Sequence, residues 1–389
     1  MIKEIFSGVV ELASVDGLRM LVMYAIGLVL IYLAIAKDYE PTLLLPIGFG
    51  AILVNLPFAA VWGEEGHPGF LKTFYDAGII TELFPLLIFI AVGAMIDFSQ
   101  LLKSPKMMLF GAAAQFGIFF TIIVALFIGK QFPSLEITLK DAAAIGIIGT
   151  ADGPTSIVVA QKFSEKYVGA ITVAAYSYMA LVPVIQPPIV KALTTKKERL
   201  IRMDYKANSI SKTALIAFPI VITVVSGILA PESASLIGAL MFGNLIRECG
   251  VLERLSKTAQ NELANLVTIL LGITVGATMK FDTFLKVDTL LILVMGLVAF
   301  IFDTAGGVLF AKLLNLFSKE KVNPMIGAAG ISAFPMSSRI IQKMAKEEDP
   351  TNFILMPAVS ANVSGQLGSV VAGGMILTLV PILLGEVIR

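Results

Sequence analysis

The 389-residue sequence is 57% hydrophobic and only 15% charged, with a mean hydropathy of +0.88; ordinary soluble domains carry about 25% charged residues, so this composition is that of an integral membrane protein. A net charge of +1 gives no basis for nucleic-acid binding. A single cysteine (Cys249) excludes an intrachain disulfide framework. A single histidine (His67), in a polar loop, argues against histidine-based zinc chemistry and Ser-His-Asp catalysis.

Residues 1–20 mix Lys3, Glu4, Glu11, Asp16 and Arg19 with apolar residues at helical spacing, which predicts an amphipathic helix on the membrane or against a partner, not a cleaved signal. A crossing needs about 20 apolar residues. In a first half (21–190) such stretches are Leu18–Ala36, Thr42–Ala60, Leu83–Ile96 with its neighbours, Met107–Gly129 and Val168–Ile185. In a second half (213–389) they are Ala214–Ala230, Ser233–Ile246, Leu263–Thr278, Thr289–Leu316 and Phe353–Gly385. That predicts about ten crossings. Two further segments, 141–162 and 322–343, are apolar but interrupted by Gly, Pro and hydroxyl residues, the pattern of discontinuous or re-entrant helices.

Between the halves, residues 191–212 carry Lys191, Lys196, Lys197, Arg199, Arg202, Lys206 and Lys212 against Glu198 and Asp204, and by the positive-inside rule face the cytoplasm. The Glu64-Glu65-Gly66-His67 loop lacks this excess and reads as an outside loop. The predicted location is the cell (inner) membrane, with multiple passes.

The chain repeats itself. Val92-Gly93-Ala94, Phe98, Leu102 and Lys103 return as Val275-Gly276-Ala277, Phe281, Leu285 and Lys286 at a constant offset. Lys140, Ile145, Gly146, Gly149, Pro154, Ser156, Gln161 and Lys162 return as Lys321, Ile326, Gly327, Gly330, Pro335, Ser337, Gln342 and Lys343. Two blocks in order, at nearly one offset, indicate duplication. The predicted fold is an all-α polytopic membrane protein with an internal, inverted repeat and two discontinuous or re-entrant hairpins. Paired interrupted segments in corresponding positions point to a transport site near the bilayer midplane.

The halves differ at the centre of these segments. Asp152, in Gly149-Thr150-Ala151-Asp152-Gly153-Pro154-Thr155-Ser156, falls opposite Ala333; Val158 falls opposite Arg339. A carboxylate at membrane depth costs about 2.5–3.5 kcal/mol on insertion scales, and Pro154 cannot continue a helical hydrogen-bond ladder. The arrangement predicts two half-helices meeting at an unwound loop, with carbonyls and three hydroxyls around one carboxylate: hard oxygen ligands for a small cation. Asn323, Ser332, Ser337 and Ser338 add uncharged oxygens, and Gly327 and Gly330 allow close backbone approach or helix packing. Arg339 reads as a fork for a carboxylate or as a snorkelling interface residue. Tyr176 and Tyr178 both stand as phenols able to shuttle a proton beside the cation, or as packing residues. Asn362, Ser364, Gly365, Gln366, Gly368 and Ser369 crowd the last span and should face a cavity or another helix. Asp303 ranks below Asp152, because no broken-helix signature surrounds it.

The Asp152 motif, the run Tyr176-Ser177-Tyr178-Met179-Ala180-Leu181-Val182-Pro183 ending in Gln186-Pro187-Pro188, and the Asn323–Arg339 segment together resemble the membrane β subunit of the biotin-dependent, sodium-pumping decarboxylases (oxaloacetate, methylmalonyl-CoA and glutaconyl-CoA decarboxylases). The resemblance covers nearly the whole chain. It implies an enzyme subunit that decarboxylates carboxybiotin, presented by a partner carrier, and couples this to outward Na+ transport with consumption of a proton. It implies as partners a carboxyltransferase α subunit, a biotin carrier protein and a single-span small subunit of γ/δ type, in a homo-oligomer, a trimer. It places the essential aspartate on Asp152 and tyrosine on Tyr178, the sodium-site residues on Asn323, Gly327 and Ser332, and the functional arginine, toward the cofactor, on Arg339. A stand-alone Na+-coupled secondary transporter of a small carboxylate would use the same repeats.

Overall fold

Ser14 starts the first long helix: its hydroxyl accepts the Gly17 N–H (2.9 Å), Asp16 sits in the first turn and Lys37 in the last, each matching the helix dipole. The computed structural model describes residues 7–64, 67–203 and 209–386. In chain order its main helices are α1 (Val15–Lys37), α2 (Pro41–Val54), α3 (Leu83–Met95), α4 (Met108–Ala114), α5 (Phe116–Gln131), α6 (Leu139–Gly146), α7 (Gly153–Phe163), α8 (Val168–Leu193), α9 (Lys212–Leu229), α10 (Ala234–Glu248), α11 (Ala264–Ala277), α12 (Val287–Phe317), α13 (Met325–Ala328), α14 (Met336–Glu348) and α15 (Leu355–Leu383). The only strands among the described residues are the pair Gly63–Glu64 and His67–Pro68, antiparallel. Residues 1–6 of the amphipathic stretch expected over 1–20, residues 65–66 of the expected outside loop and residues 204–208 of the basic loop lie outside the described residues. Ser7–Glu11 is a short helix, and Val15 already belongs to α1.

Five helices among the described residues are long and apolar enough to cross a bilayer: α1, α4 with α5 (Pro105–Gln131), α8, α12 and α15. The pair Phe70–Ile80 and α3, bent by 62°, passes the same length and composition test together, as a broken span or a re-entrant loop. The total is fewer than the spacing of apolar stretches predicts, and the reason is length. Helices α2, α10 and α11 hold 14, 15 and 14 residues, about 21–23 Å at 1.5 Å per residue, short of the hydrocarbon core of about 30 Å. The predicted span Thr42–Ala60 ends at Val54, where the Asn55 amide turns to donate to the Met279 carbonyl (2.7 Å).

These short helices build two matching joints. Helix α3 crosses α10 with Gly93 against the Leu240 carbonyl and Gly243 against the Ile90 carbonyl. Helix α2 crosses α11 with Gly276 against the Ile47 carbonyl and Gly50 against the Ile273 carbonyl. Ile90 and Gly93 correspond to Ile273 and Gly276 at the offset of the first repeated block. Each half thus supplies one helix to the other half's joint. An asparagine locks each: Asn244 donates to the Ile96 carbonyl (3.2 Å), as Asn55 does to Met279.

A Cβ on Gly93 or Gly276 would overlap backbone, which cannot move aside as a flexible side chain can. Gly93→Ala and Gly276→Ala should each cost about 3 kcal/mol, the upper range for overpacking. The check is the thermal midpoint of the solubilised protein. Gly227→Ala on α9, where the nearest atom to the new methyl is 3.8 Å away, should leave it unchanged.

The two interrupted segments enter from opposite ends of α15. At the first, the Thr138 hydroxyl accepts the Asp141 N–H (3.1 Å) and Asp141 accepts the Thr138 N–H (3.0 Å), a reciprocal cap that opens α6. Ser164 after α7 donates to the same carboxylate (2.5 Å), pinning both ends together, and Lys140 pairs with Glu386 beyond the end of α15 (2.7 Å). At the second, the Gln342 side chain donates to the Asn352 carbonyl (3.0 Å) and accepts the Ile354 N–H (2.8 Å) at the start of α15.

The basic loop is tied to the second interrupted segment by ion pairs. Lys191 pairs with Glu347 (3.5 Å), Arg199 with Glu348 (2.6 Å) and Arg202 with Asp349 (2.7 Å), strapping it to the acidic end of α14. The Thr351 hydroxyl and the Arg202 guanidinium hold the Asp349 carboxyl down to about 2. A depressed carboxylate stays charged above its ordinary range near 4 and is lost only as pH falls through about 2, so the strap is intact at physiological pH.

Candidate functional site

After α6 the chain makes one 3₁₀ turn (Ile147–Thr150), Ala151 takes a left-handed φ of 51°, and Asp152 is extended before α7 begins. Pro154 therefore falls in the first turn of α7, where its missing N–H is harmless. Asp152 is the N-cap of this half-helix: its Oδ1 accepts the Thr155 N–H (3.4 Å), so the positive end of α7 faces the carboxylate. Helix α14 starts two residues later, with Pro335 as its N-cap and no side-chain cap, and Ala333 stands at the repeat position of Asp152.

Asp152 is 4% exposed. Its Oδ2 accepts from the Thr155 hydroxyl (2.8 Å), the Ser369 hydroxyl (2.7 Å) and the Gln366 amide (3.3 Å). The other two hydroxyls of the motif serve the backbone instead. Thr150 donates to the Ile147 carbonyl (2.8 Å), and Ser156 donates to the Asp152 carbonyl (2.8 Å). Gln366 and Ser369 lie one turn apart on α15, so the last helix reaches the carboxylate from across the molecule. The polar crowd on this helix accordingly faces protein: Asn362, Ser364, Gln366 and Ser369 are all at most 5% exposed.

The second interrupted segment meets the first at this point. The Ser332 N–H donates to the Thr150 carbonyl (3.1 Å), two residues from Asp152, and the Ser332 hydroxyl donates to the Gly365 carbonyl (3.1 Å). Asn362 donates to the Ile331 carbonyl (2.7 Å) and keeps a buried Oδ1 without a partner. Gly327 lies farther along, packed against Gly307 of α12 backbone to backbone. Asn323 stands at the strap, where its amide donates to the carbonyls of Arg199 and Ile201 (both 2.9 Å); it is not a hydrogen-bond partner of Asp152. Arg339 is exposed on the first turns of α14, within electrostatic reach of Glu40.

The two tyrosines part company. The Tyr176 ring fills the place a Cβ on Gly153 would take, immediately beside Asp152, and its buried hydroxyl has no partner. Tyr178 faces away and donates to the Leu293 carbonyl of α12. The sequence placed the pair in the right span, but two residues apart on a helix lie about 200° apart around its axis, so only one can face Asp152.

One carboxylate with three donors can balance one positive charge. No group of three His, Cys, Asp or Glu side chains that could hold a metal occurs among the described residues; Asp152 is a single carboxylate held by neutral hydrogen-bond donors.

Comparison with known proteins matches this architecture. The family described as "Na+-transporting oxaloacetate decarboxylase beta subunit" matches residues 19–380. The methylmalonyl-CoA decarboxylase subunit beta of Propionigenium modestum is 49% identical, over 93% of this chain and 96% of its own. The oxaloacetate decarboxylase beta chain of Klebsiella pneumoniae is 46% identical, over 93% and 95%. The glutaconyl-CoA decarboxylase subunit beta of Acidaminococcus fermentans is 49% identical, over 92% of each. With a carboxylate sunk between two interrupted helices and near-complete coverage in every comparison, this multi-pass membrane chain belongs to the family of beta subunits of Na+-transporting decarboxylases.

Proposed function

We propose that this chain decarboxylates carboxybiotin, presented by a biotin carrier partner, and uses that reaction to move Na+ outward while consuming a proton taken from outside. The single observation that carries the reading is the carboxylate of Asp152, capping the first half-helix and buried where the two interrupted segments touch. In the reaction the N–CO2 bond of carboxybiotin breaks, CO2 leaves, and the biotin nitrogen takes the proton.

Na+ is the cargo. Asp152 neutralises it, and Thr155, Ser369 and Ser332 supply oxygens around it. Asn323, Gly327 and Ser332 follow one another along the second segment from strap to site, and the ion's route is assigned to this segment. Arg339, exposed between the strap and the break, suits the carboxylate of the incoming carboxybiotin. Tyr176 is the phenol beside Asp152; Tyr178, on the opposite face, holds α8 to α12. Moving each charge against the potential costs about 2.3 kcal/mol per 100 mV, which decarboxylation supplies. The opposite ends at which the two segments enter support an inverted repeat, with alternating access as one half rocks on the other.

The carboxylic acid decarboxylated is chosen elsewhere. Relatives of nearly equal similarity bear the names of three different substrates, so a separate carboxyltransferase α subunit sets the choice, with a single-span γ/δ-type subunit completing the complex around a trimer of this chain. The test is reconstitution into vesicles. Na+ should accumulate only when the carboxyltransferase, the biotin carrier and a substrate acid are present. Na+-driven uptake of a small carboxylate by this chain alone would overturn the reading in favour of a secondary transporter.

A further inference from the structure

Asp303, on α12, is 0% exposed, and its two oxygens are treated very differently. Helices α4 and α5 run end to end but break at Gln115, which leaves the first N–H groups of α5 without full in-helix bonding; the Ile118 N–H is shared with the Gln115 carbonyl (3.2 Å). Oδ1 of Asp303 accepts one of these, the Ile118 N–H (3.2 Å). Asp303 thus caps a broken helix, but the break lies in another part of the chain. Oδ2 has no hydrogen-bond partner and lies against Gly149, 2.5 Å from where a Cβ there would stand, with Ala299 on the same side. Gly149 belongs to the 3₁₀ turn that leads directly into Asp152.

A buried carboxylate with one oxygen unpartnered is strongly destabilising unless its charge is removed. A metal ion would need several oxygen ligands converging on Oδ2, whereas Gly149 and Ala299 offer no side-chain oxygen there. A proton needs only Oδ2. No charged neighbour substitutes for it. Of the packed helices, α5 carries only Lys130 near its far end, and α6 carries Lys140 and Asp141 at its outer start. Helix α8 carries Lys191 in its last turn and the two tyrosines already placed; α4, α13 and the turn itself carry none. On α12, Asp288 and Lys312 lie several turns away.

We propose that Asp303 is a proton-binding site loaded and emptied once per transport cycle, and that its occupancy decides whether the turn carrying Asp152 can seat on α12. With the turn packed down on Oδ2, the arrangement of this structure, Oδ2 carries the proton as O–H; when the proton leaves, the bare carboxylate must be hydrated, and the turn lifts to admit water. This rests on the proposed coupling of outward Na+ transport, with Na+ neutralised at Asp152, to the consumption of a proton taken from outside.

The test uses the complete reconstituted complex and follows Na+ uptake and internal pH together. Asp303→Asn fixes the neutral form. Na+-coupled turnover should then fall about tenfold or more because the turn stays seated, what remains should vary less than about twofold across the pH range where wild type varies about tenfold, the most that one proton gives per pH unit, and the change in internal pH per CO2 should shrink. A wild-type pH profile and proton count in this variant would overturn the proposal and leave Asp303 a cap. Should that variant fail to assemble, Asp303→Glu decides: a shifted pH midpoint supports the site, and an unshifted one overturns it. Failure of the underlying reading is distinct, since it would appear as Na+-stimulated turnover surviving in Asp152→Asn.

Discussion

Asp152→Asn should assemble with its partners at normal yield and lose at least about a hundredfold of Na+-stimulated carboxybiotin decarboxylation. Assembly is expected because asparagine caps helices as well as aspartate does, so α7 still begins at Gly153. Function fails because the amide cannot neutralise a cation. Removing one partner of a buried charge pair costs about 3–5 kcal/mol, a factor of about 10² to 5 × 10³ in affinity. The three donors on Oδ2 would turn toward the amide oxygen and keep the site shaped but uncharged. The measurement is turnover against Na+ concentration in the purified complex, with Na+ uptake into vesicles alongside. Ordinary Na+ stimulation in the variant would remove Asp152 from the mechanism.

The centre of the site was legible because its signals are local. An aspartate beside Gly-Pro in an apolar stretch can be neither an unbroken helix nor lipid-facing, and the return of Pro154 as Pro335 points to the second break. The partners of Asp152 were not legible. Gln366 and Ser369 sit more than two hundred residues away, and only the packing of α15 between the two interrupted segments brings them to Oδ2. The polar run on that helix told that it faces protein, not what it faces. Helix length was also hidden. Segments such as α2 and α3 are apolar all round, so nothing in their pattern separates a half-crossing from a full one; the joints at Gly93 and Gly276 make that distinction. Asp303 was ranked low for want of a nearby break, yet the break it serves, at Gln115, belongs to a different helix.

Gly153→Ala should lift Asp152 off its donors without unfolding the protein. The position is the first residue of α7, and the Tyr176 ring already occupies the space the new methyl would need. That ring is 2% exposed and enclosed by the core, so α7 moves instead of the tyrosine. Overpacking of this kind costs about 1–3 kcal/mol, which places the Na+ concentration for half-maximal turnover about tenfold higher. Because the clash is with one identified ring, it should be reversible. Combining Gly153→Ala with Tyr176→Leu removes the obstruction and should recover Na+ affinity relative to Gly153→Ala alone, a coupling that a double-mutant cycle measures. Combining it with Tyr178→Leu should recover nothing, since that phenol is bonded to Leu293 on the other side of α8. Rescue by Tyr178→Leu and not by Tyr176→Leu would show that the wrong tyrosine has been placed beside the cation, and with it the wrong face of α8.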